Sequence, residues 1–77
     1  MENYEQLVKL EKEDDGEFAV FYETGGRKVP YEIDITNITT SKQVLDWIEH
    51  ISRKSWITVN HFRQFIDLTK PKLARTI

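Results

Sequence analysis

The chain of 77 residues holds two histidines, thirteen carboxylates and no cysteine, and these few groups bound the chemistry it can carry. His50 and His61 stand eleven residues apart on different predicted helices, so they meet only if the tertiary fold brings them together. Neither has the spacing to a second His or carboxylate that a helical zinc site uses, and both are expected on the surface. Asp46 precedes Trp47. A carboxyl held against an aromatic can serve as a general acid, but an aspartate next to a core tryptophan is also the ordinary boundary between the wet and dry faces of a helix. Glu13-Asp14-Asp15 with Glu17 gathers negative charge without the twelve-position ligand pattern of a calcium loop, and Asp-Asp-Gly is fully accounted for as a turn. Gly25-Gly26 is followed by no helix start, as a phosphate-cradling loop requires. The chain is therefore expected to be a non-enzyme with no catalytic residue, cofactor or metal.

Length and composition point the same way. A chain this short forms one small domain, too small to hold both a roomy pocket and a generous core. Without cysteine it has neither a disulfide framework nor thiolate metal ligands, and a reducing compartment suits it. The acidic start Met1-Glu-Asn-Tyr-Glu-Gln6 is unlike a secretion signal, and no run of eighteen apolar residues occurs, so a cytoplasmic protein away from membranes is expected. The net charge of -2 hides a division: residues 1–38 hold four basic against ten acidic side chains, and residues 39–77 seven basic against three acidic. Such a dipole can steer partners of either sign or favour a homodimer in which the halves meet. The blander reading is that the charges solvate two outer surfaces.

The elements that would position these groups follow from hydrophobic period. From Tyr31 to Ile48 the period changes from two to between three and four across a Thr/Ser junction, which marks a strand running into a capped helix. Gly25-Gly26 predicts a two-residue type I′ hairpin loop. That register places Phe18, Val20, Tyr22, Val29, Tyr31 and Ile33 on the buried face. Glu17, Glu23, Lys28, Glu32 and Asp34 then lie on the other face, with Phe21 opposite Pro30. Pro30 points its missing N–H outward, as an edge strand permits. At the N-terminus Tyr4, Leu7 and Val8 have helical spacing. A three-residue loop with Gly16 in the left-handed conformation instead makes Val8 and Leu10 part of a first strand, with a short helix as the alternative.

Thr40-Ser-Lys-Gln43 is a capping box that starts a helix at Ser41, ending near Lys54. Its dry face is Val44, Trp47, Ile48 and Ile51 with Leu45 beside them, and its wet face carries Asp46, Glu49 and Arg53. Thr58 caps a second helix with Val59, Phe62, Phe65 and Ile66 as its apolar face, and Pro71 stops it. The expected architecture is α+β: a three-stranded antiparallel β-meander followed by two α-helices packed on one sheet face (βββαα). A single domain spans residues 1–71, and 72–77 form a frayed basic tail.

The segments Tyr31-Glu-Ile-Asp-Ile35, Thr40-Ser41, Val44-Leu-Asp-Trp-Ile48 and Lys54-Ser-Trp-Ile-Thr58 together resemble a group of small, largely uncharacterised bacterial proteins, some from phages and plasmids. The resemblance covers residues 29–68 and implies a shared fold with no catalytic role. The acidic N-terminal hairpin and the basic tail depart from it. Function is then expected in binding. The first expectation is a module that contacts an unidentified protein through Glu17, Phe21, Glu23, Lys28, Pro30 and Glu32, an apolar centre with a charged rim. By analogy with small phage inhibitors such as anti-CRISPR proteins, it could act as an inhibitor or accessory factor of a mobile element. The alternative is nucleic-acid binding through Arg53, Lys54, Arg63, Lys70, Lys72 and Arg75. Trp56, between the helices, is read as a plug for the end of the core.

Overall fold

A computed structural model describes residues 5–73. Three strands, β1 (Val8–Glu13), β2 (Gly16–Tyr22) and β3 (Lys28–Asp34), form one antiparallel sheet in the order β1-β2-β3. Helices α1 (Ser41–Ile51) and α2 (Val59–Thr69) follow, and a short 3-10 turn (Lys70–Lys72) closes the domain. This is the expected βββαα α+β fold, with the N-terminal segment a strand from Val8. Tyr4 lies outside the described residues, as do Arg75 and the rest of 74–77.

The strand register differs from expectation by one residue, and the physical consequence is large. The β2–β3 loop holds three residues, Thr24, Gly25 and Gly26, closed by a Glu23 N–H to Arg27 carbonyl bond. Gly25 and Gly26 have φ of 103° and 87°, the left-handed region open to glycine. Tyr22 therefore pairs with Lys28, and beyond a bulge Val20 pairs with Glu32 and Ala19 with Ile33. Moving β2 by one residue exchanges its faces. Ala19 and Phe21 point into the core, while Phe18, Val20 and Tyr22 turn to the outer face. Every residue from Phe18 to Tyr22 is apolar or aromatic, so alternation could not choose between the two registers.

The bulge lies at the proline. A single residue of β2, Phe21, spans Val29, Pro30 and Tyr31 of β3. Proline cannot donate to a ladder, and the extra residues let it stand exposed at the sheet edge while Val29 and Tyr31 both stay on the core side.

The β1–β2 turn corrects a second expectation. Its loop is the two residues Asp14 and Asp15, Glu13 pairs with Gly16, and Gly16 is not left-handed. Glycine is required there by close approach: a Cβ on Gly16 would stand 2.5 Å from Oγ1 of Thr36. That hydroxyl accepts the Glu17 N–H at 2.9 Å, and the Ile35 N–H donates to the Glu17 carbonyl at 2.9 Å. The chain leaving β3 is thus stitched to the start of β2.

Phe21 is the centre of the core, with no exposed surface. Its ring centroid lies 5.5 Å from Tyr31, 6.1 Å from Trp56, 6.3 Å from His61 and 5.9 Å from Phe65. Burying such a side chain contributes about 1.5–3 kcal/mol. Trp56 plugs this cluster from the connection between the helices, as expected, and also meets Tyr31 edge-on.

The caps of α1 fall where the sequence places them. Thr40 accepts from the Gln43 N–H and Gln43 Oε1 accepts from the Thr40 N–H at 3.0 Å. Val44 and Ile51 are buried, Trp47 and Ile48 pack at the margin, and Asp46, Glu49 and Arg53 are exposed. Leu45 is turned to solvent, and the helix stops at Ile51 rather than near Lys54.

Helix α2 is rotated from its expected face. Phe65 is buried as foreseen, but its buried neighbours are His61 and Thr69, while Val59 is 66% exposed and Ile66 39%. Polar residues can take the dry face here because their atoms are satisfied: Thr69 Oγ1 donates to the Phe65 carbonyl at 2.9 Å, and His61 is bonded at both ring nitrogens.

Lys72 and Leu73 belong to the domain and not to a frayed tail. Leu73 packs on the core cluster, and Lys72 reaches back to the Glu17 carboxylate.

Candidate functional site

Neither helix covers the outer face of the sheet. Antiparallel alternation places the row Phe18, Val20 and Tyr22 of β2 along its middle, with Lys9 and Glu11 of β1 on one side and Lys28, Pro30, Glu32 and Asp34 of β3 on the other. Phe18 and Tyr22 are half-buried and Val20 is fully covered. Lys9 Nζ sits 5.1 Å from the centroid of the Tyr22 ring, and Lys28 Nζ lies 3.9 Å from Glu32 across the exposed edge. The surface has an apolar spine with mixed charge on either side.

This arrangement redistributes the residues expected to bind protein. Lys28, Pro30 and Glu32 stand on the outer face as anticipated. Phe21 does not: it is the core residue described above, and Phe18 and Tyr22 occupy the place assigned to it. Glu17 also lies on the helix side of the sheet, where it is paired with Lys72 and flanked by Lys12. The Lys72 hydrogen bond holds the Glu17 carboxyl below its usual range, with the charges of Lys72 and then Lys12 adding to the effect against a burial penalty. Glu23 sits at the hairpin end and pairs with Arg27 at 3.8 Å.

The basic set is similarly divided. Arg53 is held by Glu49 at 2.5 Å, Lys54 lies 4.6 Å above the Tyr31 ring, and Lys72 is engaged with Glu17. Arg63 and Lys70 make no ion pair among the described residues. Arg75 lies outside the described residues. The acidic and basic halves of the chain are therefore interleaved, since Glu17 and Lys72, expected in two separate surfaces, join in one ion pair.

His50 is exposed as expected and meets Trp47 edge-on at 5.6 Å. His61 is a correction: it is fully buried. The Thr58 N–H donates to its Nδ1 at 2.9 Å, so the ring proton resides on Nε2, which donates to the Tyr22 carbonyl at 2.6 Å. His61 is thus the third residue of a second capping box with Thr58, a role its position three residues after Thr58 could have signalled. Its ring stacks at 10° on Phe21.

A cleft of about 500 Å³ runs between the end of β3 and α1, lined by Asp34, Asp46, Trp47 and His50 among others. Asp34 is bonded to the Thr36 N–H at 2.9 Å, and Thr36 holds its carboxyl below the usual range. Asp46 pairs with Lys42 at 2.9 Å. These groups are engaged locally and do not converge on a point where a reacting atom would sit. Among the described residues, no three metal-ligating side chains gather to hold an ion. No helix among them is long and apolar enough to cross a membrane.

No family model, curated protein or solved structure matches the chain.

Proposed function

We propose that this protein is a small, non-catalytic binding module that engages a protein partner through the outer face of its sheet. The observation that carries the reading is the row Phe18, Val20 and Tyr22, two of them half-buried aromatics, on a face that neither α1 nor α2 covers and that both signs of charge flank. Aromatic residues at the centre of a patch with a charged rim are the composition of a binding hot spot. Alternating Lys9, Glu11, Lys28 and Glu32 suits a polypeptide of mixed charge better than a polyphosphate backbone. A cytoplasmic setting and a role as inhibitor or accessory factor of a mobile element belong to the same proposal. They rest on composition, on the resemblance of residues 29–68 and on analogy.

The test is affinity capture with the intact chain beside F18D and Y22D, each checked by circular dichroism for retained fold. A stoichiometric protein partner lost with F18D and Y22D, and kept with R63A/K70A, supports the proposal. Salt-dependent binding of DNA or RNA that R63A/K70A abolishes while F18D and Y22D leave it intact would overturn it.

A further inference from the structure

The outer edge of β1, to which no strand pairs among the described residues, offers a second surface. The Tyr22 N–H donates to the Leu7 carbonyl at 2.8 Å, which sets the parity of the β1–β2 ladder: Leu7 directs its carbonyl, and Lys9, Glu11 and Glu13 their backbone groups, toward β2. Val8, Leu10 and Lys12 therefore direct theirs outward. Val8 N–H is taken by Oε1 of Gln64 at 2.9 Å. The Val8 carbonyl and both backbone groups of Leu10 and Lys12 face away from the sheet. On the helix side this edge borders a groove of about 640 Å³ between β1 and α2, with Val8, Leu10 and Leu68 as its apolar lining and Arg63 and Asp67 on its rim. Leu10 is 42% exposed there, the one exposed large hydrophobic residue of the sheet's described residues.

We infer that this edge pairs with the same edge of a second copy of the chain, forming a two-fold dimer with a continuous six-stranded sheet. The register that places Leu10 opposite Leu10 of the copy is self-complementary in three respects. The two Leu10 residues exchange both backbone hydrogen bonds, and each Lys12 N–H meets the Val8 carbonyl of the copy, the one outward group of Val8 that Gln64 leaves open. On the outer face Lys9 lies opposite Glu11 of the copy, and Glu11 opposite its Lys9, two cross-strand pairs of opposite charge. On the helix side the two exposed Leu10 side chains meet in the joined grooves. A shift of two residues either way places Lys9 opposite Lys9 or Glu11 opposite Glu11, so charge selects this register. The edge shares Lys9 and Glu11 with the rim of the outer face but uses neither Phe18 nor Tyr22, so F18D and Y22D test that face while L10P tests the edge.

The test is sedimentation velocity over a concentration series, with amide exchange followed residue by residue. The wild-type chain is expected to dimerise, with Leu10 and Lys12 amides gaining protection as concentration rises. K9E places glutamate opposite glutamate twice and should weaken the dimer at least tenfold, and the swap K9E/E11K should restore it. L10P removes an outward N–H without touching the β1–β2 ladder and should give a folded monomer. A wild-type monomer at all concentrations overturns the inference, as does a dimer indifferent to L10P or a swap that fails to rescue K9E. An edge that takes up an extended peptide while the chain stays monomeric overturns it equally.

Discussion

His61 and Gln64, one turn apart on α2, divide between them the two halves of a single strand rung. Leu7 and Tyr22 face each other at the start of β1, and the Tyr22 N–H donates to the Leu7 carbonyl at 2.8 Å. The reciprocal bond is replaced. The Leu7 N–H donates to Oε1 of Gln64 at 2.6 Å, and the Tyr22 carbonyl accepts from Nε2 of His61 at 2.6 Å. Gln64 also takes the Val8 N–H and donates its Nε2 to the Glu5 carbonyl at 2.8 Å. The helix is thus pinned to the sheet by hydrogen bonds as well as by packing, which fixes the rotation that buries His61.

Replacing His61 by Ala should cost about 3 kcal/mol, because it leaves the Tyr22 carbonyl and the Thr58 N–H without their partner and opens a cavity beside Phe21. Urea denaturation measures the loss. A change under 0.5 kcal/mol, about the level of an ordinary surface substitution, would show that the ring is dispensable.

Gln64→Leu keeps the side-chain volume but frees the Leu7 and Val8 amides, and should cost about 1–2 kcal/mol. Amide exchange should accelerate at Leu7 and Val8 far more than along α1. Uniform acceleration across the domain would mean that the tie is not local.

Tyr31 buries its hydroxyl without a hydrogen-bond partner among the described residues, so Tyr31→Phe should hold or raise stability by roughly 1 kcal/mol. Burial also pushes the Tyr31 hydroxyl above its usual pKa of 10.0. The folded state therefore keeps the proton more firmly than the unfolded chain, a contribution fully present below about pH 10 and lost as pH rises above it. The phenylalanine variant should lose that alkaline slope, and thermal melts at pH 8 to 11 would reveal a slope that persists.

Glu17 and Asp34 act at the other end of the scale. Both are held below their ordinary values of 4.5 and 3.8, Glu17 by Lys72 and Asp34 by Thr36. Their contribution is present above those values and fades as pH falls through the lowered ones. Lys72→Met should move the Glu17 carboxyl titration upward in a proton-resolved NMR series and leave that of Asp34 unchanged.

Gly16→Ala should cost about 1–3 kcal/mol through the clash with Thr36 Oγ1. Thr36→Ala removes that oxygen, so the double variant should cost less than the sum of the two single ones. Strict additivity in denaturation would contradict the contact.

What could be read in advance was set by where the sequence is asymmetric. Val44, Trp47, Ile48 and Ile51 recur at a helical period with polar residues between them, and Thr40 and Gln43 leave one way to begin that helix; α1 was legible to the residue at its start. The order of three strands and two helices was legible for the same reason. Strand β2 was not, because Phe18 to Tyr22 offers apolar side chains to both faces and a glycine pair accommodates a three-residue loop as readily as a two-residue one. That single ambiguity moved Phe21 from the surface to the core and brought Phe18 and Tyr22 outward, while Lys28, Pro30 and Glu32 kept the face expected of them. Helix α2 failed through polarity. His61 and Thr69 count as wet in any periodicity, and only their partners, one 39 positions away, make them dry.

The proline bulge gives the sheet a direction of growth. Pro30 stands exposed at the outer edge of β3, where it offers no donor and the extra residues break the spacing that an incoming strand would need. The β1 edge is regular, and among the described residues no strand pairs with it. A sheet with one such stop cannot propagate by adding copies at both ends, so any chain recruited at β1 presents its own blocked edge to the outside and assembly halts there. The proline at the bulge thus leaves the sheet only one edge suited to strand addition among the described residues.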